Sequence, residues 1–411
     1  MRFNTALLHG DFRGDKKTGA TQTPVYQSSA FEHASAETLE KIFNNKAPGF
    51  SYSRIGNPTV DAFERRMTAL EGGIASVSCA SGMAAITNAF TNILRSGDEI
   101  VCSASLYGGS IDLFRDLENF GIKTHYVENN NIEQFEAATN DNTRLYFAET
   151  IGNPRLDVTD IKLLSEAAHK AGVPLIADNT VATAYLIKPI EYGADIVVNS
   201  TSKYVNGNSN SISGVITDSG NFKWDSVKYP GMKEYAKFGP YAYTAKLRNG
   251  IYRNTGACLS PQNAFYNILG IETLGLRMER ITDNALKLAE YLDINYSFLN
   301  VNYPGLKSSE FHAIADKELN NGYGGIITIR TGSKENAFKF INALKLPLNV
   351  SNIGDTKTLV IHPGSTISAH STEEEKKIAG VFDDLVRISV GIEDIEDLIE
   401  DFTQAVEFIQ Q

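Results

Sequence analysis

Four short stretches carry residues that could do chemistry. Lys203 follows the apolar run Asp195-Ile196-Val197-Val198 and the hydroxyl residues Ser200, Thr201 and Ser202. A lysine at the edge of a hydrophobic sheet can lose part of its proton affinity and act as a nucleophilic amine. Asp178 closes Leu175-Ile176-Ala177, a carboxylate at the end of a buried strand. Ser81-Gly82-Met83 opens a helix, whose free N–H groups and positive dipole end suit an anion. Tyr107 follows the strand expected at 99–103 and can stack on a flat ring. Singly, each has an ordinary reading: a solvated lysine, a turn carboxylate capping Thr180, a helix cap and a surface tyrosine. Together, an amine, a carboxylate and an anion cradle are the parts of a pyridoxal 5′-phosphate (PLP) site. The lysine holds the cofactor as a Schiff base, the aspartate keeps the ring nitrogen protonated, and the helix start with nearby hydroxyls holds the phosphate.

These stretches need a scaffold that brings them together. Apolar runs of strand length fall at 74–79, 99–103, 124–127, 145–149, 174–177, 196–199 and 214–217. Helical patterns lie between many of them, at 110–120, 132–139 and 160–171 for example. Such alternation predicts βαβ units and a mostly parallel sheet, and ligands of such sheets sit outside the carboxyl ends of the strands. Residues 1–56 are expected to form an extended N-terminal arm with little helix beyond 35–43, and residues 57–258 a large domain. Within it, residues 220–256, rich in Tyr, Gly and Lys, are expected to be a long irregular connection. Residues 259–411 are expected to form a smaller α+β domain with helices at 260–274, 280–292, 334–344 and 394–408 and strands at 326–330, 359–362 and 385–390.

With those residues in place the chain resembles the trans-sulfuration (Cys/Met metabolism) family of fold-type I, aspartate-aminotransferase-like PLP enzymes. The resemblance runs from Thr21-Gln22-Thr23-Pro24-Val25-Tyr26 to Arg387-Ile388-Ser389-Val390-Gly391. Its specific motifs are Tyr52-Ser53-Arg54-Ile55-Gly56-Asn57-Pro58, Ala80-Ser81-Gly82-Met83 and Ser200-Thr201-Ser202-Lys203-Tyr204. It implies that Lys203 holds PLP and shuttles protons, that Asp178 pairs with the ring nitrogen, and that Tyr107 stacks on the ring and assists proton transfer. Gly82, Met83, Ser200 and Ser202 would bind the phosphate, and Asn153 the phenolic oxygen. Tyr52 and Arg54 would reach the phosphate of a neighbouring subunit, which implies a homotetramer built from dimers with shared sites. Arg387 would clamp the substrate carboxylate, helped by Ser351.

Tyr107-Gly108-Gly109-Ser110, the segment 218–224, Leu259-Ser260-Pro261-Gln262 and Val360-Ile361-His362-Pro363 resemble the O-acylhomoserine sulfhydrylase branch. The implied reaction is γ-replacement in methionine biosynthesis, O-acetyl-L-homoserine plus sulfide or a thiol giving L-homocysteine or methionine plus acetate. The alternative is γ-elimination from methionine. Gly109 stands where methionine γ-lyases usually carry cysteine. The loop Asn206-Gly207-Asn208-Ser209-Asn210-Ser211 departs from the Gly- and His-rich run usual after the lysine, with Asn208 where histidine is common and Ser213 where glycine is usual. Either the amides alter the leaving group or thiol accepted, or they are neutral, since Asn tolerates left-handed turns.

The 411 residues carry 38 basic and 49 acidic side chains, a net charge of −11, which disfavours nucleic acid as a partner. Apolar stretches fall short of a membrane span. The N-terminus meets Asp11, Arg13, Asp15 and Lys16 too soon for a signal peptide. Cys79, Cys102 and Cys258 are read as buried free thiols, in a cytoplasmic protein. No histidine pair has metal-ligand spacing, so no metal is expected. A non-catalytic protein on this fold would lack Lys203, Asp178 or Arg387, and all three are present; nucleotide-binding glycine motifs are missing.

Overall fold

Residues 1–10, 14–15 and 18–410 are described by the computed structural model; Asp11, Arg13 and Lys16 lie outside them. Among the described residues the expected runs become a seven-stranded sheet. Its strands are β1 (Ala75–Cys79), β2 (Glu99–Ser103), β3 (Lys123–Val127), β4 (Thr143–Glu149), β5 (Leu175–Asp178), β6 (Ile196–Asn199) and β7 (Gly214–Asp218), in the order β1-β7-β6-β5-β4-β2-β3. Strands β2 to β6 pair in parallel, and β7 runs antiparallel to both β6 and β1. Alternate residues feed two apolar layers. Leu175, Ala177, Val197 and Tyr146 enter one, and Ile176, Ile196, Val198 and Phe147 the other. Burial on both faces is why these strands read as unbroken apolar runs.

The helix Pro58–Glu71 starts at Asn57, whose Oδ1 accepts from the Thr59 N–H at 2.9 Å, and stops at Gly72 in the left-handed region. Its last residue has a role in the sheet. Glu71 is fully buried and accepts from Asn199 Nδ2 at 2.8 Å and from Asn179 Nδ2 at 3.3 and 3.4 Å. Asn199 ends β6 and Asn179 follows the end of β5. One carboxyl therefore ties together the strand ends that carry Asp178 and Ser200.

The N-terminal region differs from its expectation. Phe3–His9 is a helix, with Leu7 buried against the helices Pro58–Glu71 and Leu274–Asn295 of its own chain. The Arg66 guanidinium donates to the Leu7 carbonyl at 3.2 Å. Seven residues are too few for a periodic signal, and this helix rests on tertiary packing. The stretch 220–256 is also more regular than expected: 3₁₀ structure covers Pro230–Tyr241 around a kink at Gly239, and helices follow at Ala242–Asn249 and Ile251–Thr255. Its aromatic residues, which suggested a loop, are packed. Trp224 stacks on Tyr243 at 5.3 Å, and the Tyr243 hydroxyl donates to the Ala89 carbonyl at 3.0 Å.

The C-terminal sheet is β8 (Ile326–Arg330), β9 (Leu348–Asn349), β10 (Leu359–Ile361) and β11 (Leu385–Ser389), ordered β8-β11-β10-β9. The two-residue β9 and the helix His312–Glu318 escaped the sequence reading. The helices expected at 260–274 and 280–292 are Pro261–Glu272 and Leu274–Asn295. Leu274, Met278 and Ile281 pack in the core of the large sheet, whereas Ala285, Leu288 and Leu292 pack with the small sheet. We propose that the small domain, as a packing unit, begins within this helix rather than near residue 258. Cys79 and Cys102 are buried free thiols, but Cys258, at the end of the ordered connection, is partly exposed. Among the described residues no helix is long and apolar enough to cross a membrane.

Burial raises the Glu71 carboxyl to about 7, against donors from Asn199 and Asn179 that lower it. A carboxyl raised on folding contributes stability that is complete below its unfolded value and lost as pH rises through about 7. E71Q should remove that dependence, on the order of 3 kcal/mol across the window. Unfolding midpoints in urea at a series of pH values should therefore fall less steeply for the variant than for the wild type.

Candidate active site

The carboxyl ends of β4, β5 and β6 open on a cleft of about 960 Å³, counting its open mouth. Gly82, Met83, Tyr107, Asn153, Asp178, Ser200, Ser202, Lys203, Ser351 and Arg387 all line it. Ten of the twelve residues expected at the site are thus brought together. Tyr52 and Arg54 are not. Arg54 lies over the Tyr52 ring at 5.5 Å and donates to the Arg253 carbonyl at 2.5 Å, and Tyr52 remains 43% exposed.

One wall is acidic. Asp178 and Glu149 end neighbouring strands in register. Asp178 Oδ1 accepts from the Thr180 N–H at 2.9 Å, and Glu149 Oε1 from the Tyr107 N–H at 2.6 Å. Burial pushes both carboxyls up, and Glu149 is raised further by the charge of Asp178. Two buried carboxylates side by side call for a cation between them. The protonated ring nitrogen of a pyridine supplies one.

Two basic groups line the same cleft. Burial, and next the charge of Arg387, lower the Lys203 amine to about 8. Its Nζ donates to Asn352 Oδ1 at 2.6 Å. Arg387, on β11, is 3% exposed. It donates from Nη1 to Asn153 Oδ1 at 3.1 Å and from Nη2 to the Asn352 carbonyl at 3.0 Å, while its buried Nε has no hydrogen-bond partner. Burial alone lowers even this guanidinium, to about 10. Such a group gains strongly from a carboxylate.

The cleft also holds an anion cradle. Ser81 caps the helix Gly82–Thr91, its Oγ accepting from the Ala84 N–H at 3.0 Å. The Gly82 and Met83 N–H groups, in the first turn, have no acceptor within the helix. A Cβ on Gly82 would fall 2.5 Å from the Ser200 Cβ, so only glycine lets these two loops meet. Ser202 departs from its expected part: its Oγ donates to the Ser213 carbonyl at 3.0 Å and accepts from the Ser213 N–H at 2.8 Å. Its one proton is committed, which leaves Ser200 as the readier hydroxyl donor. Ser213 itself is buried, its Oγ bonded to Thr201 Oγ1 and Asn267 Nδ2, each at 2.8 Å. The unusual serine thus belongs to a polar cluster under the lysine loop.

The sequence reading missed Asn352. It picked the adjacent Ser351, which lines the cleft, but Asn352 makes the contacts to Lys203 and Arg387. Both lie in an irregular stretch after β9, where no periodicity ranks one above the other. Glu149 could have been found by pairing strand ends with Asp178.

A profile of the family described as Cys/Met metabolism PLP-dependent enzyme matches residues 4–407. The chain belongs to that family. An O-acetyl-L-homoserine sulfhydrylase of Corynebacterium glutamicum is 43% identical to it, covering 97% of this chain and 95% of the relative. A homocysteine synthase of Schizosaccharomyces pombe is 40% identical over 98% of this chain and 98% of its own length. Among solved structures, an O-acetylhomoserine (thiol)-lyase described as putative, from Campylobacter jejuni, superposes with a TM-score of 0.95 at 32% identity, covering 99% of this chain and 100% of its own. That structure carries an N′-pyridoxyl-lysine-5′-monophosphate residue. A cystathionine γ-lyase of Lactobacillus plantarum superposes at 0.88 with 30% identity over the whole of both chains. As a Cys/Met metabolism enzyme the chain is PLP-dependent, and its cleft fits the cofactor: an acidic floor lacking a cation, a glycine-only cradle for an anion, and a buried amine.

Asp178→Asn keeps the shape of the acidic wall but removes the charge that would face the ring nitrogen. Its apoprotein should bind PLP about tenfold or more weakly, as read from an absorbance titration; equal affinity would remove Asp178 from that role.

Proposed function

We propose that the protein carries out γ-replacement on O-acetyl-L-homoserine, using sulfide to give L-homocysteine and acetate in methionine biosynthesis. The observation that carries this reading is that one cleft holds a buried arginine and a partly buried amine, in a chain about 40% identical along nearly its full length to sulfhydrylases and homocysteine synthases. Bound PLP would supply the electron sink that acidifies the positions next to the amino-bearing carbon.

The chain's own residues account for the rest. Arg387, with its bonds to Asn153 and Asn352, is already oriented and offers the substrate carboxylate a planar fork. Lys203 Nζ, with its depressed proton affinity, can take and return a proton near neutral pH. Asp178, Glu149 and the Gly82–Met83 turn would hold the two charged ends of the cofactor. Ile151, Ile212, Ile353 and Ile367 line the cleft as apolar wall and limit water near the reacting carbons. A Cβ at position 109 would come 2.5 Å from the Tyr107 ring, so glycine there lets the ring lie close over its own helix start.

The shared-site homotetramer and the cytoplasmic location belong to the same proposal. The outward placement of Tyr52 and Arg54, away from their own cleft, supports a role for them in a neighbouring subunit's cleft.

Purified PLP-loaded protein, given O-acetyl-L-homoserine with and without sulfide and separately L-methionine, should form homocysteine only when both substrates are present. Rapid release of 2-oxobutanoate and ammonia from methionine, without homocysteine synthesis, would overturn the reading in favour of γ-elimination. In the same assay Arg387→Lys, which cannot grip a carboxylate in two places, should raise KM for O-acetyl-L-homoserine about tenfold or more.

A further inference from the structure

The loop after Lys203 folds back on the segment around Asp355. The Gly207 carbonyl accepts from the Thr356 N–H at 2.9 Å. Asn208, whose amide donates to the Asn206 carbonyl at 3.1 Å, is not the left-handed residue of this loop. Ser209 is, with φ at +53°, as is Gly207 at +74°. A side chain there costs conformational energy that glycine would not incur. The serine hydroxyl has a place to go: it donates to the Asp355 carboxylate and accepts from Asn352 Nδ2, the latter at 2.9 Å. Asn352 Oδ1 in turn accepts from Lys203 Nζ at 2.6 Å.

The direction of this relay is set from its far end. A carboxylate only accepts. Burial opposes ionisation of Asp355, but hydrogen bonds from Ser209 and Lys357 outweigh it and hold the carboxyl below its usual range. The single proton of Ser209 is therefore committed to Asp355, and the serine oxygen can only accept from Asn352. The asparagine edge facing Ser209 must be nitrogen, so the edge facing Lys203 must be oxygen.

We propose that Ser209 is a positioning residue for Lys203: anchored on Asp355, it fixes the orientation of the Asn352 amide and so keeps a carbonyl oxygen, not an NH₂ donor, against the lysine amine. The inference rests on the reading of Lys203 as the residue that holds the cofactor. Through its main-chain carbonyl the same Asn352 orients Arg387, so the amine and the carboxylate clamp share one support. The other charged and titratable groups at the amine are Arg387, which opposes its protonation, and Asp178, Glu149 and Tyr107 of the same cleft. Lys357 and Arg277 act on Asp355.

The test uses the apoprotein, whose amine titration can be followed without turnover. Lys203 is labelled by formaldehyde with cyanoborohydride across a pH series, and its peptide is quantified by mass spectrometry. Ser209→Gly is the variant of choice, because glycine accepts the left-handed conformation and the change removes no more than the hydroxymethyl group. With the anchor gone Asn352 is free to present its NH₂, the ammonium loses an acceptor, and the midpoint for Lys203 should fall by about half a pH unit, which means about threefold faster labelling near neutrality. Midpoints of the remaining lysine peptides should not move. Asp355→Asn, whose amide can donate to Ser209 and reverse the relay, should shift Lys203 the same way and serves where S209G cannot be prepared folded. A Lys203 midpoint in S209G equal to wild type would overturn the proposal. Borohydride reduction of the PLP-loaded wild type separates the underlying reading. A pyridoxyl mass on the Lys203 peptide supports it; the mass on another peptide overturns it, whatever S209G shows.

Discussion

The cleft depends on a carboxyl that never touches it. Glu71, the last residue of a helix, is buried behind the sheet and receives amide donors from Asn179 and Asn199. Those asparagines sit directly after Asp178 and directly before Ser200. The two strand ends that would face opposite ends of the cofactor, ring nitrogen and phosphate, are therefore held at a fixed spacing by one short-range interaction. Burial raises that carboxyl to about 7, and its two amide partners satisfy polar groups that the irregular strand ends would otherwise leave unpaired.

Charge in the cleft follows one logic from floor to mouth. Burial raises the acids Asp178 and Glu149 and lowers the bases Lys203 and Arg387, so on each of these four groups it works against the charged state. None of them pairs with another across the gap. Lys203 and Arg387 bind neutral amide oxygens instead, of Asn352 and Asn153. Neutral partners orient a cation without neutralising it. The demand for counter-charge is thus left for a zwitterionic ligand to meet, which is how a site discriminates in favour of charged groups at defined places.

Much of this was legible in the residues. Strands buried on both faces announce themselves as apolar runs, and polar residues at their ends mark the sheet edge where ligands bind. The residues read as cofactor-binding within one chain all line the cleft. What stayed hidden has physical causes. The helix Phe3–His9 is shorter than two periods and owes its form to contacts with Leu7. The 220–256 region looked like loop because residues such as Trp224, Tyr243 and Tyr252, which favour no helical pattern, are held there by tertiary packing. Asn352 and Ser209 act through hydrogen bonds between segments over a hundred residues apart, and no local pattern reports such pairing. Ser202 was placed at the cleft as expected, but its hydroxyl is turned to Ser213 by a loop closure that composition does not reveal.

The helix Leu274–Asn295 gives half its apolar face to each of two cores. It works as a splint common to both halves of the protein. No single cut in the polypeptide yields two pieces that each keep a whole interior: severing before the helix strips Leu274, Met278 and Ile281 from the large sheet, and severing after it strips Ala285, Leu288 and Leu292 from the small one. The two cores therefore share one packed element, and disturbing that helix disturbs both.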